Sequence, residues 1–206
     1  MALKKESVFD TEKQHHNLDS KIIVAFEKIS EVYRVLQWSQ AQENKISPIQ
    51  LQILVFIKYH TPEKCKVGYM ARDFNITKAT ISDSVKTLLS KGYLNKVVDT
   101  SDTRSFTLSL TSEGEKLASK VEHYTHELKA PLLDLDASKK EVLFDSLTEL
   151  IYKLQRNGII DVQRMCFTCT NYEGDKNAAH YCKLMKTELT KNALRMDCPE
   201  HLEVVK

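Results

Sequence analysis

Residues 66–110 read KVGYMARDFNITKATISDSVKTLLSKGYLNKVVDTSDTRSFTLSL, and this stretch decides the fold. Its opening segment, Lys66 to Asp73, is a short helix that stops near Phe74 and Asn75. Asn is one of the few non-glycine residues that tolerate the left-handed backbone a tight interhelical turn needs. Thr77 stands where an N-cap belongs, with a hydroxyl free to accept a backbone N–H of the next helix. That helix carries Ile81, Val85, Leu88 and Leu89 at i, i+4, i+7 and i+8, a stripe that faces a core. Lys78, Thr80, Ser82, Ser84 and Lys86 form its other face: short hydrogen-bonding groups with two cations. Gly92, after Lys91, stops it. The pair reads as a helix–turn–helix whose second member has the chemistry of a recognition helix.

Two strands follow, Leu94 to Asp99 and Ser105 to Leu110, with Phe106, Leu108 and Leu110 on one face and Thr107 and Ser109 on the other. Between them Thr100-Ser101-Asp102-Thr103-Arg104 is a polar turn. An arginine at such a tip suits a minor groove, where negative potential favours a cation. The Asp102 carboxylate can orient the Arg104 guanidinium through a bidentate pair.

The helix pair, the Asp102-x-Arg104 turn and the Leu110-Thr111-Ser112-Glu113-Gly114 exit together resemble the MarR family of bacterial winged-helix regulators. The resemblance covers roughly residues 20 to 157. It implies an obligate homodimer on a pseudo-palindromic operator in double-stranded DNA. Recognition-helix residues then read the major groove and the wing arginine the minor groove. Repression is the default it implies. One departure stands out: Asp83 occupies a place where the family often has a cation. A carboxylate there can accept from cytosine N4, so base preference is what it changes.

The expected fold class is mainly α with a small β-wing: a winged helix–turn–helix, a helical dimerisation arm and a small C-terminal metal-bound appendage. The divisions are a flexible tail over 1–18, an N-terminal dimerisation helix over 19–43 and the DNA-binding domain over 44–112. C-terminal dimerisation helices over 113–160 and a cysteine-rich extension over 161–206 complete the chain.

Composition bounds this reading without deciding it. The 206 residues are 42% apolar and 28% charged, with a net charge of +2. Residues 66–104 hold seven Lys or Arg against four Asp, so +3 sits there and −1 elsewhere. That is a modest basic patch in the right place. No run of about 18 apolar residues exists, and the N-terminal residues lack the apolar segment of a signal peptide, so no membrane partner and a cytoplasmic location are expected.

Upstream, Asp19 or Ser20 caps a long helix with Ile22, Phe26, Ile29, Tyr33 and Leu36 on one stripe, and Trp38 seats its end. Ser47-Pro48-Ile49-Gln50 combines a cap, proline in the first turn and Gln at the third position. The apolar run Leu51 to Tyr59 makes that helix central. Cys65, alone before the DNA-binding unit, reads as a small buried hydrophobe. Downstream, a helix from Thr111 carries Leu117, Val121, Tyr124 and Leu128 until Pro131 bends or breaks it. Ser138 to Glu141 form a capping box for a last helix with Leu143, Leu147, Leu150 and Leu154, ending at Asn157-Gly158. These helices exceed what a small core can cover, which argues for a dimer that spaces two recognition helices one DNA turn apart. His123 and His126 on this arm are exposed polar residues that could also line the pocket of a small-molecule effector.

Beyond Gly158 the chain leaves the family pattern. Four of the five cysteines, Cys166, Cys169, Cys182 and Cys198, follow the spacing C-x2-C, twelve residues, Cys, fifteen residues, Cys. A C-x-x-C turn places two thiolates on one metal, with later ligands arriving from elsewhere. Lys183, Lys186, Arg164 and Arg195 can offset the thiolate charge, and His180 and His201 are reserve ligands. So short a tail needs a crosslink to fold. Structural zinc is the first expectation and an iron–sulfur cluster the second. A reversible disulfide or unrelated buried thiols follow. The run Asn177 to Met196 reads as helix-like. A labile site here would make the tail a sensor acting on the dimer arm joined to it at Gly158.

Two other function classes are open. One is a metal- or redox-dependent enzyme that uses the winged helix only as scaffold. No nucleophile–base pair, Gly-rich phosphate loop or HExxH site supports it. The other is a protein-interaction module that kept the fold and lost DNA binding, for which Asp83 and the small net charge speak.

Overall fold

The computed structural model describes residues 7–14, 16–98, 106–161, 164–174 and 179–204. Helices α1 (Thr11–Gln14) and α2 (Leu18–Glu43) lead into α3 (Pro48–Tyr59), α4 (Val67–Asp73) and α5 (Lys78–Ser90). Strands β1 (Leu94–Val98) and β2 (Phe106–Leu110) then pair antiparallel, Leu94 opposite Leu110 and Val98 opposite Phe106. Helices α6 (Ser112–Val121), α7 (Lys129–Leu133) and α8 (Ala137–Arg156) follow. The tail folds as a three-stranded antiparallel sheet, β3 (Tyr172–Glu173), β4 (His180–Cys182) and β5 (Thr187–Leu189), in that order. The architecture is a winged helix–turn–helix, mainly helical, with helical arms before and after it.

The hub is α3. Ser47 Oγ accepts from Gln50 N at 3.3 Å, and Gln50 Oε1 accepts from Ser47 N at 3.1 Å, so the capping box is complete with Pro48 just inside the helix. Leu51, Ile53, Leu54, Phe56 and Ile57 bury against Met70 of α4, Ile81, Val85 and Leu88 of α5, Leu94 and Leu108 of the hairpin, and Ala118 and Val121 of α6. Full burial of each large apolar side chain contributes roughly 1.5–3 kcal/mol, so this cluster holds the chain together.

The turns obey local chemistry. Asn75 takes φ +52° between α4 and α5, and Thr77 Oγ1 accepts from Thr80 N at 3.1 Å. Gly92 ends α5 at φ +74°. The exit from the hairpin is stapled back to that point: Thr111 Oγ1 donates to Gly92 O at 2.7 Å and accepts from Gly114 N at 3.0 Å. A Cβ on Gly114 would lie 1.9 Å from Tyr93 O, so only glycine lets α6 approach this closely. Leu108 N donates to Cys65 O at 2.9 Å, fixing the base of the wing to the core.

Several boundaries differ from the sequence reading. Asn17 caps α2 rather than Asp19 or Ser20, accepting from Ser20 N at 3.2 Å. That leaves Asp19 in the first turn, where the helix dipole favours an acid. Trp38, expected to seat the end of α2, is 60% exposed. The helix after the wing ends at Val121, before Pro131. A 3-10 turn, His126–Leu128, precedes α7, and Pro131 falls in its first turn, where a missing N–H costs nothing. Asp136, not Ser138, caps α8, accepting from Lys139 N at 2.8 Å.

The largest correction is in the tail. The stretch expected to be helix-like forms β4, β5 and a 3-10 turn, Lys191–Ala193, while Asn177 and Ala178 lie outside the described residues. Lys186 adopts φ +51° between β4 and β5, a backbone state that no right-handed helix contains. Cross-strand pairing then takes the backbone groups a helix would have used.

Candidate nucleic-acid interface

The outer face of α5 presents Lys78, Thr80, Asp83 and Lys86 to solvent, with Ser82 half-buried. The hydroxyls of Thr77 and Thr80 lie 2.9 Å apart, so the cap and the first exposed turn are one hydrogen-bonded unit. Lys86 Nζ donates to Asp83 Oδ1 at 2.9 Å, so the unexpected acid is partnered by the cation one turn on. Ser84 departs from the expectation that it faces a groove. It is only 8% exposed. Three residues from Ile81 and four from Leu88, it falls on the buried stripe, and helical spacing alone could have placed it there.

Beside this face stands the hairpin. Val97 and Val98 are exposed, and Lys96 Nζ lies 4.8 Å from the Phe106 ring centroid. The wing tip, with Asp102 and Arg104, lies outside the described residues, as do Asp99 and Ser105.

Residues 45–105 match the model of the MarR family. This segment is a MarR-family domain. Solved structures of S. aureus MepR share its fold, and a further regulator is similar in sequence. S. aureus MepR in complex with DNA is 23% identical at a TM-score of 0.57, over 64% of this chain and 96% of that one. MepR in a DNA-binding conformation is 23% identical at a TM-score of 0.57, over 65% and 98%. The Thermotoga maritima transcriptional regulator Tm0710 is 26% identical at a TM-score of 0.47, over 68% and 99%. No curated protein sequence matches the chain. About a third of the chain lies outside each structural match.

The tail docks on the MarR-family domain rather than hanging from the arm. Arg164, 7% exposed, is the pin. Its Nε donates to Asp197 Oδ1 at 2.6 Å and its Nη2 to Asp197 Oδ2 at 2.8 Å, while Nη1 donates to Asp73 at the end of α4. The guanidinium also lies 5.4 Å from the Phe56 ring. Burial pushes the Asp197 carboxyl up, but Arg164 and His60 outweigh it and hold it well below the usual carboxylate range. Burial raises Asp73, and the Asp197 charge adds to this against the pull of Arg164. Further ties run to the same region: Asn75 Oδ1 accepts from Asp161 N at 3.0 Å, Arg72 pairs with Glu203 at 3.1 Å, and Lys64 Nζ donates to Pro199 O at 2.5 Å. The other side of the tail rests on α8. Lys191 pairs with Asp145 at 2.8 Å, and the Phe167 and Tyr152 rings are 6.1 Å apart.

Cys166, Cys169, Cys182 and Cys198 are free thiols that all line one cavity of about 50 Å³. Arg195 N donates to Cys166 Sγ at 3.2 Å, and Arg195 Nη1 lies 3.8 Å from Cys198 Sγ. Burial raises the Cys166 thiol, and the other three cysteines raise it further against the Arg195 N–H. Of the cations expected to offset the thiolates, Arg195 is in place. Arg164 instead serves the two aspartates, and Lys183 pairs with Glu173 at 2.7 Å. Neither reserve histidine lines the cavity. His180 Nδ1 is 2.6 Å from Tyr172 Oη, and His201 Nε2 is 3.0 Å from Thr168 Oγ1. Among the described residues no three His, Cys, Asp or Glu side chains stand close enough to hold a metal ion. The four cysteines are therefore brought together, but not at single-ion spacing.

Cys65 stands apart, 1% exposed with Sγ 3.6 Å from His60 O, and burial pushes its thiol up to about 11. No helix among the described residues is long and apolar enough to cross a membrane. No local pattern marks the Arg164 pin, because Asp73 and Asp197 lie 91 and 33 residues from it.

Proposed function

We propose that this chain is a sequence-specific regulator of transcription that binds double-stranded DNA as a homodimer. The observation that carries the reading is the solvent face of α5, where Lys78, Thr80 and Lys86 project from a helix whose opposite side is locked into the core. A helix so held can enter a major groove without rearranging, and in this reading the adjacent hairpin follows the backbone toward the minor groove. MepR, whose fold this chain shares, has been solved on DNA.

The partner for the arms is a second copy. Ile22, Phe26, Ile29 and Tyr33 form an exposed stripe on α2, and Val142 and Leu143 on α8 and Leu132 and Leu133 on α7 are exposed too. Apolar surface of this extent at both ends of a DNA-binding unit is what a two-fold dimer covers. Repression, by occupying an operator that overlaps a promoter, is the mode we assign.

Titration of a duplex pool selected for binding, at several salt concentrations, tests the reading. The expected result is affinity whose logarithm falls linearly with the logarithm of salt, by about 0.9 per phosphate contacted. Absence of duplex binding at low salt would overturn it.

A further inference from the structure

From the four-cysteine cavity we infer that the tail holds an iron–sulfur cluster rather than a single zinc ion. The argument is one of size. Four thiolates on zinc sit about 2.3 Å from the metal, which draws the sulfurs into mutual contact and leaves no room between them. Here Cys166, Cys169, Cys182 and Cys198, with Asn171, Arg195 and apolar neighbours such as Leu184 and Leu189, line a cavity of about 50 Å³. A water-sized sphere needs roughly 10–15 Å³ by the same measure, so the space suits a body several times larger than one ion. Among the described residues no three ligand side chains stand at single-ion distance, which agrees with this.

The lining chemistry points the same way. A cluster carries bridging sulfides as well as cysteine sulfurs, and N–H donors to those sulfurs stabilise it. Arg195 supplies its backbone N–H to Cys166 and its guanidinium toward Cys198. Asn171, also on the cavity wall, has a buried Nδ2 with no hydrogen-bond partner among the described residues. A buried amide N–H without a partner is costly, and a cluster sulfide would take it up. Tyr172 and Leu189 complete a largely apolar wall that limits water. On loading, each thiol releases its proton to solvent and each thiolate forms one bond to iron. The cluster's own sulfides bridge the irons.

The test uses the full chain purified without oxygen, and again after anaerobic treatment of the metal-free protein with a mixture of ferric and ferrous iron and sulfide, so that the iron oxidation states of the cluster are supplied, and separately with zinc. We expect a brown protein with about two to four irons and as many acid-labile sulfides per chain. The Cys166→Ser/Cys182→Ser double variant should lose the colour and sulfide while keeping its helical circular dichroism. A colourless protein with about one zinc and no sulfide, or one that takes up no iron, would overturn the inference. Should the double variant fail to fold, the iron, sulfide and zinc counts of the wild type still decide. No DNA enters the measurement, so its outcome is separate from that of the regulator reading.

Discussion

Gly114 is the residue at which local sequence and tertiary structure meet most tightly. Its missing Cβ lets α6 start against the Tyr93 carbonyl, directly behind the stop of α5. Gly114→Ala should therefore cost about 2–3 kcal/mol, read as a lower denaturation midpoint, because backbone rather than a movable side chain must give way. Cys65 makes a second residue-level prediction. With its folded thiol raised to about 11, the stability it contributes is present below an unfolded pKa of about 8.5 and is lost as pH climbs from there through the folded value. Chemical denaturation of Cys65→Ala beside the wild type, from pH 7 to 11, should show the wild type alone losing that increment. Iodoacetamide at neutral pH should leave Cys65 unlabelled in the native state.

At the scale of the element, α5 separates two kinds of serine and lysine. Lys78 and Lys86 stand in solvent, whereas Ser84 is turned into the core. Replacing either lysine by alanine should weaken duplex binding across sequences and reduce the salt slope by about 1, measured by fluorescence anisotropy. Ser84→Ala should leave DNA affinity and its salt slope unchanged, and a large loss would mean that α5 is rotated from the position described. The helix pair, the hairpin and the capping box of α3 were legible because each rests on neighbours in sequence: Asn75 at a left-handed turn, Thr77 at a cap, Ser47 with Gln50. Ser84 was misplaced by reading polarity before angle. The tail strands were misread because the apolar spacing of residues 181–194 fits a short helix as well as paired strands.

For the whole molecule, the tail is the feature that changes the mechanics. It touches α4 and the interhelical turn through Arg164, Arg72 and Asn75, and α8 through Lys191 and Phe167. The tail thus contacts the helix–turn–helix itself as well as the arm that it follows at Gly158. Arg164→Ala strands Asp73 with little solvent, but Asp197 is half-exposed and recovers water. The expected cost is therefore about 2–3 kcal/mol, below that of a fully buried pair, with faster proteolysis of the tail as the second readout. The arm makes its own prediction. Ile29→Asp, placing a charge in the exposed stripe of α2, should convert a dimer to a monomer by light scattering and lower operator affinity at least tenfold.

By itself the sequence determined the winged helix–turn–helix, because caps, a left-handed Asn, a glycine stop and periodic apolar stripes are local and each needs only its near neighbours. It also marked four cysteines as one group by their spacing. Only the tertiary structure decided that the cysteines line one cavity, that Ser84 is core, and that Arg164 ties Asp73 to Asp197. Those facts depend on pairings between residues tens of positions apart, whose geometry is set by how the tail packs across α4 and α8 and not by any short stretch of chain.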